Sequence, residues 1–209
     1  MRQMRMPMNL YRTPCSPAYW HEANLAMKCL KLLVFAALMI AVTRALSLIP
    51  GIPIWHTKLT WGFLARSVCA LVCGPLLGLV FGFAEDILGF ILQPSGDFFP
   101  GYTLTTMLGV LTYALFLYRA PLRVWRIFCA KLLTNVQNVV LGALWIAILN
   151  SNGAFSLETW YASASLSAAK NLIMLPVQAV LLVVLLRALQ PALQRTGMLP
   201  RQARPVKRG

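Results

Sequence analysis

Apolar residues run along this chain in six long blocks separated by clusters of helix-breaking residues. The first covers residues 25–49 and stops at Pro50-Gly51-Ile52-Pro53; the second covers 59–73 and ends at Gly74-Pro75. The third continues from 76 to 92 and stops at Gln93-Pro94-Ser95-Gly96. The fourth spans 103–118, the fifth 124–149 and the sixth 162–189, the last two joined through Asn150-Ser151-Asn152-Gly153. Proline and glycine punctuate chains at turns, so these boundaries read as inter-helix connections. Crossing a bilayer takes roughly 20 apolar residues in a helix, and the pattern therefore predicts an all-α integral membrane fold with six transmembrane helices. Blocks two to four are shorter than a full span and are expected to tilt or to sit between longer neighbours.

Composition supports lipid as the solvent. Of 209 residues, 59% are hydrophobic and only 11% charged, against about a quarter charged in soluble domains. The net charge of +14 would suit nucleic acid, but its distribution does not. Arg2, Arg5, Arg12, Lys28 and Lys31 precede or open the first helix. Arg119, Arg123, Arg126 and Lys131 surround the turn between helices four and five, and Arg187, Arg195, Arg201, Arg204, Lys207 and Arg208 close or follow the sixth. Six helices place all three clusters on one side, which the positive-inside rule makes cytoplasmic; five or seven would split them. The expectation is a multi-pass cell-membrane protein with both termini in the cytoplasm and no nucleic-acid partner. It has a polar, methionine-rich and loosely ordered extension (1–24), a six-helix domain (25–190) and a basic cytoplasmic tail (191–209). No removable signal peptide is evident. The five cysteines form no CxxC pair, so buried free thiols are expected in place of a metal site or disulfides.

Five charged residues remain inside the spans: Arg44, Arg66, Glu85, Asp86 and Lys170. Charges at such depth face a bundle interior or a wet cavity. The topology puts Arg66 near mid-depth and the other four in the outer part, where all could converge on a cavity open to the exterior. Internal ion pairs that fix packing are the alternative, but the excess of cations suits an anionic ligand better. On the third helix Gly74, Gly78, Gly82 and Asp86 recur every four residues, a small-residue face ending in a carboxylate. On the fifth, Asn135, Asn138, Gly142 and Trp145 share one face, which could bind a planar heterocycle or supply interhelical hydrogen bonds. Ala37, Ala41 and Ala45 on the first helix form a flat face for close packing or for docking another membrane subunit. Arg44 points within about 20° of Ala37 on a helical projection, so the two roles compete for one direction. GxxxxGK[ST], HExxH and GxSxG are all missing, and the two histidines are His21 and His56. Neither an ATPase, nor catalytic residues, nor a metal cluster is expected.

Residues 74–118 read GPLLGLVFGFAEDILGFILQPSGDFFPGYTLTTMLGVLTYALFLY. This block resembles the substrate-binding subunits (S components) of energy-coupling factor (ECF) transporters, most closely their folate family. The matching positions are Gly74, Pro75, Gly78, Asp86, Pro94, Gly96, Phe98, Phe99, Pro100, Gly101, Tyr102, Thr103 and Leu104. The six-helix plan, the arginine late in helix one and the Lys170-Asn171 step near Pro176 are also similar. Departures are the methionine-rich start, the tail after Leu189, Tyr102 in place of a common phenylalanine, and Glu85 beside the aspartate.

The resemblance implies a bundle with an outward-facing ligand cavity and high affinity for a vitamin, here folate. It implies no cofactor of its own: a transmembrane coupling subunit and two cytoplasmic ATPases would supply ATP-driven energy, with Ala37, Ala41 and Ala45 as the docking surface. The pterin ring would lie among Trp145, Phe98, Phe99 and Asp86, with Thr103 beside them, and the carboxylates would meet Arg44, Arg66 and Lys170. Other ligands of the same class are riboflavin, thiamine or a queuosine precursor. A membrane enzyme or a ligand-free assembly factor is the reading from another class.

Overall fold

The apolar blocks fold as helices because a helix pairs its backbone N–H and C=O groups within one segment, where lipid offers no partners. The computed structural model describes residues 16–49, 51–54, 57–59, 61–94, 98–150 and 156–200. Residues 1–15 of the extension, 201–209 of the tail, 151–155 of the last outer loop, and His56, Gly96 and Asp97 lie outside the described residues. In chain order the helices are α1 (Pro17–Met27), α2 (Leu30–Leu48), α3 (Gly62–Leu92), α4 (Pro100–Leu117), α5 (Val124–Asn150) and α6 (Leu157–Arg195). Two short strands, β1 (Ile52–Ile54) and β2 (Thr57–Leu59), pair antiparallel between α2 and α3. The second apolar block therefore becomes helical at Gly62, three positions later than the expected start at residue 59, which falls in β2.

Helices α2 to α6 are each long and apolar enough to cross a membrane, which counts five spans. The sixth segment lies within α3. Gly74 interrupts this helix at φ +80° and ψ −175°, and Pro75 follows it. Arg66 Nε lies 3.0 Å from Glu85 Oε2, whereas a straight helix would hold these residues about 28 Å apart. The chain therefore doubles back at Gly74, and residues 62–73 (α3a) lie alongside residues 75–92 (α3b). A Cβ at Gly74 would come within 2.9 Å of the Tyr118 ring, so the turn needs glycine both for its positive φ and for space. The helix boundary read at Gly74-Pro75 is thus a hairpin, and the bundle has six apolar helical segments, of which α3a is too short to cross a membrane alone.

This hairpin is the centre of the molecule. The most apolar window of α3 is 72% buried, against 17% for α2. Cys69, Ala70, Cys73, Leu77 and Phe81 pack there against Val110, Ala114 and Leu117 of α4 and Leu182 and Leu186 of α6.

The described residues nearest the two ends, 16–27 and 191–200, pack against the bundle. The extension carries α1, capped by Ser16 and anchored by buried Tyr19, Ala23 and Ala26. Tyr19 donates its hydroxyl to the Ala114 carbonyl at 3.3 Å and sets its ring edge-on to Tyr118 at 5.5 Å. Glu22 pairs with Arg119 at 3.6 Å. At the other end α6 continues through Pro191 to Arg195. Gly197, at φ +68°, then turns the chain so that the Met198 and Leu199 amides donate to the Leu193 carbonyl, the usual left-handed closure of a helix. Buried apolar contacts thus tie residues 17–27 and 191–199 to the bundle.

Candidate functional site

The hairpin leaves a gap. Running from Gly62 to the turn at Gly74, α3a is only about 18 Å long, well short of a hydrocarbon core of about 30 Å. Beside its N-terminal residues Trp61, Gly62 and Phe63 opens a cavity of about 560 Å³, within the range of sites for vitamin-sized ligands. The C-terminal end of α2 (Thr43, Arg44, Leu46, Ser47), α5 (Lys131, Asn135, Asn138) and α6 (Ser167, Lys170, Asn171, Met174, Gln178) complete the wall, with Ile49, Gly51 and Arg66.

Four cations line it, Arg44, Arg66, Lys131 and Lys170, and no carboxylate does. Among the described residues, the carboxylate in ion-pair contact with the arginines is Glu85, fully buried behind the wall. Arg66 donates to it through Nε and Nη2, at 3.0 Å and 3.2 Å, and Arg44 forms an ion pair with the same carboxylate. One anion thus holds two guanidinium groups in place. Gly89 lets Arg44 lie flat on α3b, since a Cβ there would fall 2.8 Å from the guanidinium carbon. Lys131 is only 3% exposed, and its ammonium stands 4.4 Å from the centre of the Phe63 ring. Neither lysine has a hydrogen bond or ion pair among the described residues. Nor do four buried polar atoms on this wall: Arg44 Nε, Trp61 Nε1, Asn135 Nδ2 and Gln178 Oε1. Three of the four are donors. A ligand rich in acceptors and negative charge would satisfy them.

Of the residues expected to contact ligand, Arg44, Arg66 and Lys170 come together here, joined by Asn135 and Asn138. The other five do not line the cavity; they interlock in a second cluster between α3b, α4 and α5. Asp86 accepts hydrogen bonds from Thr103 at 2.7 Å and Thr106 at 3.2 Å. The Trp145 indole donates to Thr105 Oγ1 at 2.8 Å. Phe99 sits edge-on to Trp145 at 5.6 Å and to Tyr102 at 5.8 Å, and Phe98 sits edge-on to Phe90 at 5.2 Å. Glu85, not Asp86, faces the arginines.

On α2, Ala37, Ala41 and Ala45 are exposed while Ala36 and Thr43 are buried. Arg44 reaches inward along its long side chain to Glu85, so the flat alanine face and the inward arginine coexist. A cation on the cavity wall that was not among the expected ligand contacts is Lys131, grouped by sequence with the basic turn between helices four and five. Its signal was present: Lys131, Asn135 and Asn138 follow at steps of four and three, one face of a helix.

Known proteins share this plan. The Clostridium novyi (strain NT) protein named folate transporter FolT is 26% identical over 157 residues, 75% of this chain and 88% of that one. A protein of the same name from Leuconostoc mesenteroides subsp. mesenteroides is 28% identical over 123 residues, covering 58% of this chain and 66% of its own. A crystal structure of FolT bound with folic acid superposes with a TM-score of 0.62 at 24% identity, covering 75% of this chain and 91% of that one; at that identity it speaks for the fold. The family described as ECF transporter, substrate-specific component, matches residues 31–186. The chain is a multi-pass membrane protein and belongs to the substrate-specific components of ECF transporters.

Proposed function

We propose that this subunit binds folate and delivers it to an importer whose energy comes from other chains. The observation that carries the reading is the wall of four cations without a lining carboxylate. Among the vitamins considered, folate carries two carboxylates, whereas riboflavin is neutral and thiamine is itself a cation that such a wall would repel. The two relatives named as folate transporters support the same ligand. Arg44, Arg66 and Lys170 are assigned to the carboxylates, and Trp61 and Phe63 offer aromatic faces within the wall for the pterin. Asp86, Thr103, Phe98, Phe99 and Trp145 are assigned a supporting role, packing the ends of α3b and α4 near the mouth.

The basic clusters support a reading with both termini in the cytoplasm; on that reading the cavity, on the side of the α2 to α3 connection, opens outward. The sequence holds no phosphate-binding loop. A transmembrane coupling subunit with two cytoplasmic ATPases is the proposed engine, meeting this chain along Ala37, Ala41 and Ala45. The test is titration calorimetry of detergent-purified protein with folate, riboflavin and thiamine. Binding of folate alone, weakened at least tenfold by Arg44→Ala and by Lys170→Met, is expected; no heat with folate would remove the folate assignment.

A further inference from the structure

Lys131 is out of place for a charge that only sets topology. Such lysines extend to water at the helix end, yet Lys131 is 3% exposed and its ammonium rests on the Phe63 ring. A ring face offsets only part of the cost of taking an ammonium out of water, and no carboxylate reaches it among the described residues. On the next turn of α5, Asn135 is 4% exposed with its amide Nδ2 unpartnered. Trp61, two residues before Phe63 at the start of α3, likewise offers an unpartnered indole N–H. All of these line the one cavity.

The depth of this group sets it apart from Lys170. Helices α5 and α6 run antiparallel from a short connection. Counted from that connection, Lys131 lies about 28 Å along α5 and Lys170 about 20 Å along α6. The cavity thus has two cations without an ion pair among the described residues, at two levels, and the deeper one lies on the wall that also carries the unpartnered Asn135 Nδ2 and Trp61 Nε1.

We propose that Lys131 is a ligand-contacting residue, the centre of a deep subsite in which its ammonium, the Asn135 amide and the Trp61 indole take an oxygen acceptor of the substrate. The subsite rests on the folate reading for its substrate, whose acceptors come from two sources: the pterin carbonyl and the glutamate carboxylates. Binding supplies the counter-group that the protein itself withholds from this ammonium. The empty and occupied states therefore respond oppositely to loss of the charge. Removing the lysine relieves an unpaired buried cation in the free protein and removes a contact in the complex.

The experiment compares unaltered protein with Lys131→Met and Lys131→Arg in detergent. It records thermal unfolding without ligand, then affinity for folate, for 6-methylpterin (no carboxylate) and for p-aminobenzoylglutamate (no pterin). The expected result is a Lys131→Met variant that unfolds at an equal or higher temperature when free and binds folate at least tenfold more weakly, with partial recovery in Lys131→Arg. A parallel loss with 6-methylpterin assigns the acceptor to the pterin; one with p-aminobenzoylglutamate assigns it to a carboxylate. Unchanged folate affinity in Lys131→Met overturns the proposal, as does weakened affinity accompanied by a lower unfolding temperature, which is the mark of a packing role. If folate fails to bind the unaltered protein, the folate reading falls by itself. The unfolding temperature of free Lys131→Met then decides this one, a rise supporting it and a fall overturning it.

Discussion

Arg66 and Glu85 meet at 3.0 Å although nineteen positions separate them along what is formally one helix. That contact shows the fold-back at Gly74 and at the same time builds the site, because the carboxylate it uses also holds Arg44. The bend in α3 and the positive wall of the cavity are consequences of one arrangement. Without the turn, Glu85 would sit far from both arginines.

Glu85→Ala should therefore unfold the bundle more readily than any single cation removal. It leaves two partly buried guanidinium groups facing each other with no anion between them. Breaking a buried pair by deleting one partner costs about 3–5 kcal/mol, a loss that thermal unfolding in detergent would register as a markedly lower midpoint. Arg66→Ala leaves Glu85 paired with Arg44 and should cost clearly less. Equal midpoints for the two variants would show that Glu85 is not shared.

Gly74→Ala tests the turn itself. Alanine must either adopt φ near +80° or open the hairpin, and its methyl would meet the Tyr118 ring at 2.9 Å. A non-glycine residue in such a conformation costs about 1–3 kcal/mol before any clash. The variant should unfold earlier, and adding Tyr118→Ala should restore only part of the loss, because space returns but backbone freedom does not. Full restoration would show that crowding alone demands the glycine.

Much of this was legible in the sequence because lipid imposes simple rules. Six apolar blocks gave the six segments, and Gly74-Pro75 was readable as a break although the helix is formally continuous there. Arg44, Arg66 and Lys170 stood out because a charge inside an apolar run needs a reason, and all three line the cavity. Lys131 escaped because it follows three arginines at a basic turn, and one-dimensional distance hid the fact that α5 carries it inward. Asp86, also expected at the ligand, shows the converse: it does not line the cavity. It lies on the glycine face of α3b, but the hydroxyls of Thr103 and Thr106, brought by a separate helix, occupy it. Which of two adjacent carboxylates meets the arginines depends on the rotation of α3b, and spacing along one chain does not determine it. The burial of α1 was equally hidden, since its partners Ala114 and Tyr118 lie far along the sequence.

Gly89→Ala should separate positioning from folding. The added methyl would fall 2.8 Å from the Arg44 guanidinium carbon, and the far end of a flexible side chain can move aside. The bundle should keep its unfolding temperature to within a few degrees. Arg44, displaced from its seat, should lose part of its contact with the ligand, and folate affinity should fall about tenfold, equivalent to about 1.4 kcal/mol. Calorimetric titration checks this, and unchanged affinity would place Arg44 outside the ligand's reach.

Ala41→Leu should leave binding intact and abolish transport. Ala41 is exposed on α2, the least buried of the membrane-spanning helices, and touches neither the cavity nor the core. Leucine is a good helix former, so stability should change by no more than about 0.5 kcal/mol. Folate should bind the purified variant as it binds the parent. Yet a branched side chain at the middle of the Ala37, Ala41, Ala45 row prevents another helix from approaching closely, which is what small residues at this spacing allow. Uptake of labelled folate into cells carrying a coupling module should therefore fall at least tenfold, while a change at an exposed position of another helix, Leu172→Ala on α6, should leave uptake near normal. Full uptake by Ala41→Leu would mean that the coupling subunit meets this protein elsewhere, and that the alanine row serves only lipid packing.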